Sequence, residues 1–211
     1  NLWVGTYYGG INVHYRGDSG LTHVRPDPSG RGLSGRVVRA LLEDSRGYLW
    51  IGTEDGGLNA VPPRGGAYLH YRHEPGKPNS LLGDNIHGVV EDARNNLWIG
   101  SFGGGLDYLD RATGRITHYR HDKHDPHSLS SNDVLTIYLD RRQQLWVGTV
   151  EGGLNLFDPD TRSFTRFAAD GRPGSLSYNA VTYVYEDRGG TLWVGTGKGL
   201  NRFDRATRTF Y

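Results

Sequence analysis

Four histidines crowd one short stretch of this chain, at His118, His121, His124 and His127, with Asp122 and Asp125 between them. Imidazoles and carboxylates at that density are the donor set of a divalent metal site. The spacing works against it. A strand returns to one face every two residues and a helix every three to four. This stretch instead leaves an apolar run and enters a loop carrying Pro126, so no regular backbone aligns the four rings. Tyr71-Arg72-His73-Glu74-Pro75 repeats the surroundings of His121, which marks that histidine as a repeat position. Neither a metal nor any other cofactor is expected.

Other chemistry-bearing patterns are weaker. Gly195-Thr196-Gly197-Lys198-Gly199 loosely resembles a phosphate loop but lacks the distant first glycine, the Ser or Thr after lysine and a following helix. Asp44-Ser45-Arg46-Gly47-Tyr48-Leu49-Trp50 resembles the Asp-box of sialidase propellers, with its aspartate one place too far from the tryptophan. No Gly-x-Ser-x-Gly elbow or isolated carboxylate pair is present, so acid/base or acyl-transfer catalysis has no visible machinery and no catalytic residue is expected. The 24 basic and 23 acidic residues are interspersed, for a net charge of +1, which leaves no electrostatic footprint for nucleic acid or a membrane surface. The absence of cysteine excludes disulfides and cysteine-ligated zinc, and no apolar run is long enough to span a bilayer.

The elements that must position any site come from a repeat. All five tryptophans, Trp3, Trp50, Trp98, Trp146 and Trp193, sit in Leu-Trp-Val/Ile-Gly, at separations of 47, 48, 48 and 47 residues. A fixed period of this size means one supersecondary unit in tandem. Each unit holds four short runs rich in Val, Ile, Tyr and Trp between turn residues, for example Val37–Glu43, Tyr48–Thr53, Gly57–Val61 and Ala67–Arg72. These are strands, joined too closely for crossover helices and therefore folded as antiparallel meanders. Asp44, Asp92, Asp140 and Asp187 read as residues of the first turn. In the first strand both alternating registers are apolar, Leu135, Ile137 and Leu139 against Val134 and Tyr138, so both sheet faces need cover.

Four-stranded units stacked face to face make an all-β propeller. One domain over 1–211 is expected, an incomplete arc with a three-stranded partial blade in 1–25 and full blades in 37–72, 86–120, 134–167 and 181–211. The five tryptophans are expected to be structural wedges between blades. The chain opens within the second strand of a blade and lacks methionine, which reads as a piece of a longer protein.

Ser128-Leu129-Ser130-Ser131-Asn132-Asp133-Val134, Leu145-Trp146-Val147-Gly148-Thr149 and Gly152-Gly153-Leu154-Asn155-Leu156-Phe157-Asp158 together resemble the two-component regulator propeller repeat, and matching strings recur along the chain. The resemblance implies the periplasmic sensor region of a membrane-anchored histidine kinase or related receptor. It implies a small-molecule ligand, often an oligosaccharide, and as partners the remaining blades and downstream signalling domains, with a homodimer left open. A protein-interaction scaffold and the non-catalytic part of a propeller lyase or glycosidase are the alternatives.

Within this frame the turn between second and third strands varies: Tyr7-Tyr8, Glu54-Asp55, Phe102-Gly103, Val150-Glu151 and Gly197-Lys198. Such turns ring one mouth of a propeller channel, together with Asn85, Asn132 and Asn179 at the strand entries. Aromatic, acidic and amide groups suit sugar hydroxyls and ring faces. The candidate ligand-binding residues are therefore Tyr7, Tyr8, Glu54, Asp55, Asn85, Phe102, Asn132, Glu151, Asn179 and Lys198. Short amides before a strand also commonly satisfy loop backbone, and that reading is favoured for the three asparagines.

Overall fold

A computed structural model describes residues 2–14, 16, 19–27 and 29–211. Among them there is no helix; nineteen strands form five antiparallel meanders. Blade 1 has three strands, β1 (Leu2–Gly5), β2 (Ile11–His14) and β3 (Thr22–Val24). Blade 2 holds β4 (Val38–Glu43), β5 (Leu49–Thr53), β6 (Leu58–Val61) and β7 (Leu69–Tyr71). Blade 3 holds β8 (Ile86–Glu91), β9 (Leu97–Ser101), β10 (Gly105–Asp110) and β11 (Arg115–Tyr119). Blade 4 holds β12 (Val134–Leu139), β13 (Leu145–Thr149), β14 (Leu154–Asp158) and β15 (Ser163–Phe167). Blade 5 holds β16 (Val181–Glu186), β17 (Leu192–Thr196), β18 (Gly199–Asp204) and β19 (Thr209–Phe210). The first strands β4, β8, β12 and β16 pack on one another in succession, so the blades fan about an axis lined by inner strands.

The second strand is the most buried element of blades 2 to 4, with every residue of β5, β9 and β13 buried. Its tryptophan is an inter-blade wedge: Trp50 packs with Ile86, Leu97 and Leu109 of blade 3, Trp98 with Val147 and Phe157 of blade 4, and Trp146 with Val194 and Phe203 of blade 5. The glycine two residues later is explained by the same contact. A Cβ on Gly52, Gly100 or Gly148 would lie 2.7, 2.7 or 2.6 Å from Ile86, Val134 or Val181 of the next inner strand. No Cβ fits at that separation, so the blades approach this closely only over glycine.

The first-turn aspartates do more than shape a turn. Asp44 Oδ1 accepts the amides of Arg46 and Tyr48, while Oδ2 accepts Trp50 Nε1 at 2.7 Å. Asp140 and Asp187 hold Trp146 and Trp193 in the same way at 3.0 and 2.8 Å. Guanidinium groups from the following blade complete two junctions. Arg111 pairs with Asp44 at 2.9 Å and with Glu91 at 3.4 Å, its Cζ 5.3 Å from the centre of the Trp50 ring. Arg205 repeats this on Asp140, Glu186 and Trp146, at 2.9, 3.2 and 5.9 Å.

The strict alternation expected in the first strand does not hold. Pairing of each inner strand with its neighbour slips by one residue after its first position, between Val38 and Ala40, Ile86 and Gly88, Val134 and Thr136, and Val181 and Tyr183. Each slip is a β-bulge that leaves one residue unpaired, namely Arg39, His87, Leu135 and Thr182.

Candidate functional site

The turns between second and third strands are tied to the strand entries by main-chain bonds. The amides of Glu54, Phe102, Val150 and Gly197 donate to the carbonyls of Val37, Asn85, Asp133 and Ala180 at 2.8–3.0 Å. Turn and entry loop therefore share one face of the arc in every full blade, and the bulge falls two residues after that carbonyl. A bulge re-aims the side chain it carries. Arg39 reaches the turn of its own blade, pairing with Glu54 at 2.9 Å, and its Cζ lies 5.1 Å from the Tyr7 ring of blade 1. His87 lies along Phe102, with ring centres 5.8 Å apart and planes at 30°.

Tyr7, Arg39, Glu54, His87 and Phe102 thus converge at the mouth across blades 1 to 3. Burial lowers the pKa of His87, Arg39 lowers it further, and Glu54 opposes both, so the ring is neutral at pH 7. Tyr7 and Tyr8 meet edge to face at 4.6 Å and are 55% and 75% exposed, and Phe102 is 42% exposed. Open aromatic faces beside a guanidinium, a carboxylate and a neutral imidazole can stack on a ring and hydrogen-bond its hydroxyls.

The other candidates are placed differently. Asp55 is exposed beside Glu54, and its carbonyl accepts Arg72. Glu151 and Lys198 occupy the same turn on blades 4 and 5, with Lys198 Nζ 4.7 Å from the Tyr178 ring centre. The three asparagines are not equivalent. Asn132 Oδ1 accepts the His121 amide and Asn179 Oδ1 the Ala169 amide, at 2.8 and 2.7 Å; their counterpart in blade 3 is Asp84, which accepts the His73 amide at 2.7 Å. Asn85 stands one residue later, with a buried Oδ1 that has no hydrogen-bond partner among the described residues.

The histidine-rich stretch is divided among separate tasks. His118 lies between Asp107 and the Pro78 carbonyl at 2.6 and 2.8 Å. His121 Nδ1 meets the Leu129 carbonyl at 2.8 Å, as His73 meets Leu81 at 2.7 Å. Arg39 and His87 are absent from the sequence-based candidates. Their signal was the same contrast of variable residues in a constant frame, read at the second position of the inner strand: Arg39, His87, Leu135 and Thr182.

Four segments, residues 32–55, 80–103, 128–151 and 175–198, match the family described as two component regulator propeller. The repeats belong to that family. Each match begins in the entry loop and ends in the second-to-third-strand turn, so every regulator propeller repeat starts and finishes at the mouth and crosses the opposite face at its first turn. The fold is shared with the extracellular domain of a protein described as a hybrid two component system, BT3049 from B. thetaiotaomicron. The likeness has 28% identity and a TM-score of 0.82, covering 99% of this chain and 28% of that one. The extracellular domain of BT4673 from the same organism aligns at 20% identity and TM-score 0.68, over 99% of this chain and 35% of that one. Virginiamycin B lyase from Staphylococcus aureus aligns at 16% and 0.67, over 97% and 63%. A comparison with curated proteins gives no match. The chain thus spans about a third or less of the sensor domains it resembles. No helix among the described residues is long and apolar enough to cross a membrane.

Proposed function

We propose that this propeller arc is a ligand-sensing part of the extracytoplasmic, periplasmic region of a two-component receptor, and that its mouth recognises a hydroxylated ring such as an oligosaccharide. The observation that carries the reading is the convergence of Tyr7, Arg39, Glu54, His87 and Phe102 on one face of regulator propeller repeats. Exposed apolar residues on blade 5, including Tyr183, Tyr185 and Leu200, fit a further blade of the parent chain as the next partner. The arc itself carries recognition, and signalling belongs to downstream domains.

The test is calorimetric titration of the full-length receptor with a panel of oligosaccharides, followed by Arg39→Gln, Phe102→Ala and Asp55→Ala. Loss of affinity in these variants, with Arg64→Ala on the opposite face unchanged, is the expected result. A propeller lyase is the second reading, favoured by the shared fold with virginiamycin B lyase. Ligand consumed during titration, and not merely bound, would select it.

A further inference from the structure

The junction between blades 3 and 4 departs from the latch seen between blades 2 and 3 and between blades 4 and 5. Between blades 3 and 4 the latch loses both partners, because Leu139 stands where Glu91 and Glu186 do, and Pro159 where Arg111 and Arg205 do. Asp92 still caps its turn, but its Oδ2 accepts the Tyr108 hydroxyl at 2.9 Å. Trp98 lies against Tyr108 and Phe157, at 4.5 and 4.8 Å between ring centres, in place of a guanidinium. A cavity of about 780 Å³ opens here, with Asp92, Trp98, Tyr108, Leu139 and Pro159 in its wall. It lies among first-to-second and third-to-outer strand turns, on the face opposite the mouth. A second cavity of about 410 Å³ shares Arg142, Gln144, Phe157 and Pro159 with it, which extends the cleft beneath blade 4.

Four arginines and three aspartates, Asp92, Asp110 and Asp160, line this cleft, an excess of one positive charge. Arg94, Arg115, Arg142 and Arg162 line it, and none forms an ion pair among the described residues. Of the acids beside them, Asp92 and Asp110 each accept two backbone amides through one oxygen. Burial raises the Tyr119 phenol, and the charge of Arg162, which lines the same cleft, pulls it back. An anion would meet unpaired forks suited to carboxylate or sulfate.

We propose that the cleft between blades 3 and 4 binds a multiply charged oxyanion carried on a ring. Arg115 and Arg162 would pair with the anionic groups, and the ring would rest against Tyr108 and Tyr119. The ring could be a sulfated sugar or an aromatic polycarboxylate, which share this chemistry. The site is independent of the mouth and does not rest on its reading.

Calorimetry on the full-length protein with sucrose octasulfate, trimesate, sucrose and inorganic sulfate tests it. Binding of either or both of the first two, with sucrose and free sulfate much weaker, is expected and shows which kind of ring is taken. Arg115→Gln with Arg162→Gln should weaken that binding at least about tenfold, the loss of a charge-assisted contact. Leu139→Glu with Pro159→Arg rebuilds the latch of the other junctions and should abolish binding without lowering the thermal midpoint. If that variant unfolds, the arginine pair decides. Arg39→Gln at the mouth should leave this binding unchanged. The proposal is overturned if no ringed anion binds, if inorganic sulfate binds equally well, if the arginine pair or a folded latch variant binds normally, or if Arg39→Gln abolishes binding.

Discussion

Asp107 is a carboxylate in a position that is otherwise amide. Asn12, Asn59, Asn155 and Asn201 occupy it in the other blades. The buried oxygen there accepts an entry-loop amide, Ser34, Leu82, Ser130 or Ser177, at 2.9–3.0 Å. Burial pushes the Asp107 carboxyl above the usual range, against the bonds from Leu82 and His118. Because His118 Nε2 faces a carbonyl and must donate, one proton is shared between Nδ1 and Asp107. A raised folded-state pKa means that Asp107's contribution to stability falls as pH rises from the ordinary carboxylate range through that raised value. Asp107→Asn should therefore flatten this pH dependence and hold the midpoint, since Asn59 with His70 is the same arrangement in blade 2. Asp107→Ala should cost about 1–3 kcal/mol in urea titration, because the Leu82 amide is left unpaired. Trp98→Ala should cost about 3–5 kcal/mol on the same assay, since the ring is buried between two blades. The tryptophan's packing role was legible from its spacing and size. The carboxylate that holds the indole of Trp50 was not, because Asp44 and Trp50 read as separate turn and core residues until the hairpin folds Nε1 onto Oδ2.

Strand number, order and approximate limits follow from apolar runs cut by turn residues, and the five meanders agree with that reading. The bulges escaped it, because alternation presumes a single register and nothing in Val134-Leu135-Thr136 announces a slip. They move the mouth's chemistry from the turns alone to turns plus inner strands. Close approach of blades makes a paired prediction at this scale. Gly100→Ala forces a methyl into Val134 and should destabilise by about 1–3 kcal/mol. Gly83→Ala in the entry loop of blade 3 meets its nearest neighbour, Ser101, only at 3.5 Å and should be nearly silent in the same denaturation series. The latch is also an element-scale device. Arg111→Ala leaves Asp44 and Glu91 unpaired, Asp44 fully buried, and should cost about 3–5 kcal/mol.

Across the whole arc, constant positions build the frame and variable ones gather on its two faces. One face collects Tyr7, Arg39, Glu54, His87 and Phe102; the other opens where the latch between blades 3 and 4 is missing. The repeat made the first face legible in part and hid the second, since a cavity created by Leu139 and Pro159 appears only when equivalent junctions are superposed. Hydrogen–deuterium exchange on the full-length receptor, with and without an oligosaccharide that binds it, tests the central claim most directly. Protection is expected in the entry loops and turns of blades 1 to 3, at residues 6–9, 37–40, 54–57, 85–88 and 102–104. Protection confined to the opposite turns at 92–95, 110–114 and 158–162, with none at the mouth, would contradict it.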